Sequence, residues 1–172
     1  LQFLPVLLLS LIGGVITDRW SKHRLVTITQ VAALLQAIIF TVLVMTGVIQ
    51  LWHVYLLALM QGVITAIDNP VRQAFVVELV GRERLVNAVA LNSMLFNGSR
   101  IVGPALAGVM IAWASSTLTG ISWVLLVNAV SFVAVLAGLL MIDRRTLMIA
   151  PPAPAGHLGQ RLMEGLSYVW KT

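Results

Sequence analysis

The stretch LVTITQVAALLQAIIFTVLVMTGV, residues 25–48, runs 24 positions without a charged side chain. At ~1.5 Å rise per residue a helix of that length reaches ~36 Å, enough to cross a ~30 Å hydrocarbon core. Four further stretches read the same way. They run from Leu1 to about Thr17, from Leu51 to Val77 with polar interruptions, from Asn87 to Ala114, and from Gly120 to Ile142. The apolar runs are too continuous and too seldom alternating for an outer-membrane barrel. The expected fold class is therefore an all-α polytopic membrane protein with five transmembrane helices.

Composition supports a bilayer as solvent. Of 172 residues, 59% are hydrophobic and 10% charged, whereas a soluble domain carries roughly 25% charge. So little polar surface cannot cover a globule in water. The formal net charge of +5 raises the question of nucleic acid, but no lysine–aromatic patch supports such a partner. The basic residues sit instead in short clusters between apolar runs. The absence of cysteine excludes disulfides and thiolate metal sites, and neither a metal nor a cofactor is expected.

The loops alternate in charge. Asp18–Arg24 holds Arg19, Lys22 and Arg24, whereas Thr46–Gln50 holds no Lys or Arg. Gly81–Leu85 holds Arg82 and Arg84, Ala114–Thr119 holds none, and Asp143–Arg145 holds Arg144 and Arg145. By the positive-inside rule the basic loops face the cytoplasm, with Leu1 outside and Thr172 inside. Leu1 lies within an apolar run with no basic segment before it. It is expected to be neither a native start nor a signal peptide, so the chain reads as a fragment.

Two regions are expected. Residues 1–142 form a partial transmembrane bundle, and 143–172 a cytoplasmic connector. In the connector Pro151, Pro152, Pro154 and Gly156 make a stiff linker. Leu158, Leu162, Leu166 and Val169 then recur at helical spacing. They read either as an amphipathic helix on the inner surface or as the start of another span.

Closing the first span and opening the second stand Gly14, Asp18, Arg19, Lys22 and Arg24, in the order G-x-x-x-D-R-x-x-K-x-R. Here the chain resembles the major facilitator superfamily, whose signature loop joins helices two and three. Ser21 stands where that family usually has Gly, and His23 interrupts the basic run. The resemblance implies twelve helices in two six-helix halves rocking about a central cavity. On that count the chain holds helices two to six, and its missing partners are helix one and the whole second half. The bacterial inner membrane is the implied location. In the family this loop latches the two halves on the inner side, a role that would fall to Gly14, Asp18, Arg19, Lys22 and Arg24. Plain topogenic charge is the alternative for the basic residues, and His23 reads as a solvated loop residue.

Inside the spans, Asp68, Asn69, Pro70 and Arg72 interrupt the third apolar run, and Asn97 and Arg100 the fourth. An intramembrane charge costs about 2.5–3.5 kcal/mol on insertion scales, so such groups face partners or water. Asp68 and Arg100 are expected to form a buried pair lining the cavity, with Asn97 beside them, and to respond to substrate or protons. A permanent ion pair that fixes packing is the alternative. Burial disfavours an ionised carboxylate and a nearby guanidinium favours it; Asp68 is the candidate protonation site. Arg72 is assigned to a cytoplasmic charge network with Asp18 and Glu78.

Pro70 and Pro104 each remove a helical donor. Ser99, Gly103 and Ala107, at spacing four, read as a small-residue stripe for close helix contact. With Pro104 and Gly108 they resemble the family's exporter motif G-P-x-x-G-G, Ala107 replacing one Gly, which implies a tight, bendable seam. The runs Asp68-Asn69-Pro70 and Asn87–Asn92 resemble the enterobactin-exporter and macrolide-efflux branch. Gln36, Gln61 and Asn128 either line a cavity or hydrogen-bond between helices. Trp20, Trp52, Trp113 and Trp123 sit near span ends, where aromatic belts form.

The leading expectation is a proton-coupled exporter of drug-like or siderophore-like small molecules, working by alternating access. The alternatives are the membrane part of an ATP-driven exporter, a lipid or lysophospholipid transporter of the same fold, and a lipid-embedded scaffold. An enzyme is not expected: H-E-x-x-H and G-x-S-x-G are absent, and His53 stands alone at a span edge.

Overall fold

The computed structural model describes residues 21–81, 83–143 and 147. Among the described residues there are four helices: α1 Lys22–Met45, α2 Leu51–Val80, α3 Leu85–Trp113 and α4 Thr117–Met141. Each is long and apolar enough to cross a membrane. The expected first span, Gly14, Asp18, Arg19, Trp20, Arg82, Arg144 and Arg145 lie outside the described residues, as does the connector apart from Asp143 and Leu147.

At four of the eight ends the boundaries move outward from the hydropathy limits, and at three they draw in by one to three residues. α1 starts at Lys22 rather than Leu25, and α2 continues to Val80 rather than Val77. Hydropathy marks the part of a helix that lipid surrounds, whereas the hydrogen-bond ladder continues until the backbone turns. The turn after α1 runs through Gly47 and the end of α2 through Gly81, with φ of 71° and 73°, values that favour glycine. At the start of α2 the His53 ring caps the helix, its Nδ1 accepting from the Gln50 N–H at 3.0 Å. α4 starts on Ser116, whose hydroxyl accepts from the Thr119 N–H at 3.2 Å.

α1 is the hub, packed against both α2 and α4, while α3 leans mainly on α4. Apolar side chains cannot drive helix association in lipid, so close packing rests on small residues and interhelical hydrogen bonds. Accordingly the buried face of α1 includes Ala33 and Ala37, and that of α2 Gly62 and Ala66. Large residues such as Leu35, Ile38, Ile39 and Val130 point outward and are exposed, which a bilayer accommodates and water would not. At one end Leu25, Val26, Val71, Phe75 and Leu139 form an apolar cluster, with Leu147 packed against it. The α3–α4 hairpin closes at Gly120, where an added Cβ would fall 2.6 Å from the Ile111 Cα.

Candidate functional site

The α1–α2 seam carries most of the buried polar chemistry. On α2 the residues Ile64, Asp68, Val71, Phe75 and Glu78 are buried at alternating spacings of four and three, which places them on one helical face. The facing side of α1 carries His23, Val26, Thr29, Gln30 and Ala33. The helices run antiparallel, so Lys22 meets Glu78, His23 meets Phe75, and Thr29 meets Asp68.

Asp68 is the centre of this seam, 9% exposed. Its Oδ1 accepts from the Thr29 hydroxyl at 2.6 Å and from the Gln30 amide at 3.1 Å. Its Oδ2 accepts from Arg72 Nε at 2.9 Å and lies 2.9 Å from Nη2. Both carboxylate oxygens are thus held by donors, as a buried carboxylate requires. Arg72, one turn along the same helix, keeps its side chain 44% exposed. The Thr29 hydroxyl has one proton and two acceptors in reach, Asp68 Oδ1 and the Val26 carbonyl at 2.9 Å. Protonating Asp68 would let that hydroxyl turn back to its own helix. Of the three donors that hold the carboxylate, the Thr29 hydroxyl has a second acceptor in reach on its own helix, whereas the Gln30 amide is buried against Asp68.

This geometry corrects the expected pairing of Asp68 with Arg100. Arg100 lies on α3, exposed, its guanidinium 5.7 Å from the Phe96 ring centroid. Asn97, also exposed, donates from Nδ2 to the Ser93 carbonyl of its own helix at 2.8 Å. α3 packs only slightly against α2, and a partner one turn away on its own helix holds Asp68 instead. Arg72 is accordingly an Asp68 partner, and Glu78 pairs with Lys22 Nζ at 2.5 Å. Arg24 is exposed.

His23 is not a solvated loop residue. It is 3% exposed, its Nε2 lies 2.8 Å from the Leu139 carbonyl, and its ring stands edge-on to Phe75 at 5.7 Å. A carbonyl only accepts, so Nε2 carries the proton and donates. Starting α1 at Lys22 puts His23 on the helical face of Val26 and Gln30, three and seven residues on.

Pro70 lies within α2 and Pro104 within α3, and both helices continue through them. The stripe expected to pack does not meet a neighbour among the described residues: a Cβ added at Gly103 or Gly108 would meet open space. The close-packed small residues are those of α1 and α2, with Gly120 at the hairpin. Thr29 and Gln30 escaped the sequence reading, although two adjacent polar residues inside an apolar run were a legible signal.

Four long apolar helices with interhelical polar contacts define a multi-pass α-helical membrane protein. Residues 2–172 match the model of the family described as transmembrane secretion effector, and the chain belongs to that family of major facilitator transporters. Similar proteins include the staphyloferrin A transporter of Staphylococcus aureus, 34% identical over 112 residues, which cover 64% of this chain and 28% of that protein. Another is the uncharacterized MFS-type transporter YfiS of Bacillus subtilis, 29% identical over 109 residues, covering 63% of this chain and 25% of that protein. The chain thus spans about a quarter of the length of the curated relatives it matches. No solved structure matches it.

Proposed function

We propose that this chain is part of a proton-coupled exporter of siderophore-like or drug-like small molecules, resident in the bacterial inner membrane with its basic loops in the cytoplasm. The observation that carries the coupling is Asp68, a carboxylate buried in the seam of two membrane helices and held by Thr29, Gln30 and a half-exposed Arg72. Thr29 is seven residues from the start of α1, which puts Asp68 ~10 Å in from that end. Ionisable groups inside membrane helices mark ion and substrate pathways; an ion pair that fixes packing is the alternative. The siderophore class is suggested by the name of the staphyloferrin A transporter. Alternating access would rest on helix one and the second half of the transporter, with Lys22, Glu78 and the residues Gly14, Asp18, Arg19 and Arg24 latching the cytoplasmic side. Asn97 and Arg100, exposed on α3, are proposed to face the substrate path.

The test is efflux from cells that express the full-length protein, using staphyloferrin A and a cationic dye as probes. Net efflux against a gradient, abolished by a protonophore, is the expected result. Efflux that survives the protonophore but fails on ATP depletion would contradict it. Cysteines placed at Arg82 and Arg144 should resist an impermeant thiol reagent in intact cells; labelling from outside would overturn the orientation.

A further inference from the structure

The end of the bundle that carries the α1–α2 and α3–α4 turns has no Asp, Glu, Lys or Arg between Thr46 and Trp52 or between Trp113 and Thr119. It has one histidine, His53, half-buried in the first turn of α2. The His53 Nδ1 accepts from the Gln50 N–H at 3.0 Å, and its ring stacks on Trp52 with centroids 3.7 Å apart. Trp52 Nε1 in turn donates to the Gln50 side-chain oxygen at 2.7 Å. Gln50, Trp52 and His53 lie within one turn, so these contacts are made by the local backbone and not by a neighbouring helix.

A backbone N–H can only donate. Nδ1 must therefore be the unprotonated nitrogen, and the ring in this contact is neutral, with its proton on Nε2. Protonation turns Nδ1 into a donor and removes the bond. It also puts a cation in the first turn of a helix, where the exposed N–H groups favour negative charge. His23, at the other end, responds differently. Its Nε2 donates to the Leu139 carbonyl, a bond that the neutral and the protonated ring can both make. Acid therefore breaks the histidine contact at one end of the bundle and spares the one at the other.

We propose that His53 is a proton-sensitive cap: neutral, it closes the start of α2, and protonated, it releases that turn. Histidine is the side chain that changes charge between about pH 5 and 8. The stabilisation is present above that range and lost as the pH falls through it. The described titratable groups on α2 nearest to His53 are the exposed Tyr55 and Asp68, the latter fifteen residues on, ~22 Å along the axis. On α1, Lys22, His23 and Arg24 sit at the opposite end, and α4 carries none. Arg100 of α3 lies thirteen residues before Trp113, ~20 Å from this end. Leu1–Thr17 contains no titratable side chain either. The cap works on whichever side of the membrane it faces; on the orientation proposed above, that side is the exterior.

The test is amide exchange of the full-length protein in nanodiscs at pH 8 and pH 5. Rates over Gln50–Val54 are divided by those of the same peptides unfolded, which removes the intrinsic pH dependence of exchange. Protection should be about fivefold lower at pH 5, the factor that loss of one cap supplies. The start of α4 is the internal control. Its cap is the Ser116 hydroxyl, which does not titrate in this range, so Thr119–Ser122 should be equally protected at both pH values. His53→Gln keeps an acceptor at both pH values and should hold the pH 8 protection at pH 5, whereas His53→Leu should be low at both. Asp68→Asn should leave the drop intact, which separates the cap from the proposed proton coupling. No drop in the unmodified protein, an equal drop at the start of α4, or a drop that survives in either His53 variant overturns the proposal. So does a drop that vanishes in Asp68→Asn.

Discussion

The α1–α2 seam and helix α3 are built from similar ingredients and solve the same problem differently. Both place polar side chains in the middle of apolar helices. In the seam those side chains reach across: Thr29 and Gln30 of α1 donate to Asp68 of α2, and Gln36 donates to the Leu57 carbonyl. On α3, where no residue is buried, they turn back: Asn97 to Ser93, Ser99 to Phe96, Arg100 over Phe96. A polar group in an apolar helix takes the nearest donor or acceptor, and only a close neighbour makes that an interhelical bond. Small residues decide which surfaces come close. Ala33, Ala37, Gly62 and Ala66 bring α1 and α2 together, while Gly103 and Gly108 of α3 meet no neighbour among the described residues.

The contrast is sharpest at Asp68. Replacing it with alanine takes the acceptor from the buried Gln30 amide and the carboxylate from Arg72, and should cost about 3 kcal/mol of stability. The check is unfolding of the full-length protein in mixed micelles. Gly120→Leu comes next: it drives a side chain into the Ile111 backbone and should cost about 1–3 kcal/mol by the same assay. Lys22→Ala leaves Glu78, whose side chain is 8% exposed, without its cation. A double-mutant cycle with Glu78→Gln should return a coupling of about 1 kcal/mol, and none would mean the pair is incidental. Least affected should be α3. Arg100→Ala and Gly103→Ala are expected to change stability by no more than about 0.5–1 kcal/mol. A larger loss for Gly103→Ala would show that the stripe is packed after all and erase the distinction between the two regions.

The helices themselves were legible because lipid imposes a length and an apolar composition that few other structures satisfy. Asp68 was legible for the same reason, since a carboxylate at that depth has to be accommodated. Its partner was not. Hydropathy ranks residues by depth and says nothing about which helices touch. Matching Asp68 and Arg100 by depth therefore passed over Arg72, one turn away on the same helix. Rotation about the helix axis was equally hidden. The position of His23 in a basic cluster suggested water, and only the start of α1 at Lys22 turns its ring onto Phe75 and Leu139. The G-P motif of α3 is similarly silent about its neighbours, because small residues permit a contact without specifying the partner.

The proposed coupling rests on Asp68 as the group that would carry the proton. Proteoliposomes of the full-length protein with Asp68→Asn, an isosteric change that keeps hydrogen bonding but cannot ionise, separate coupling from folding. Loaded with whichever probe the unmodified protein is found to export, they should still exchange labelled for unlabelled probe but lose all accumulation driven by a pH gradient. Undiminished pH-driven accumulation in that variant would contradict the assignment outright.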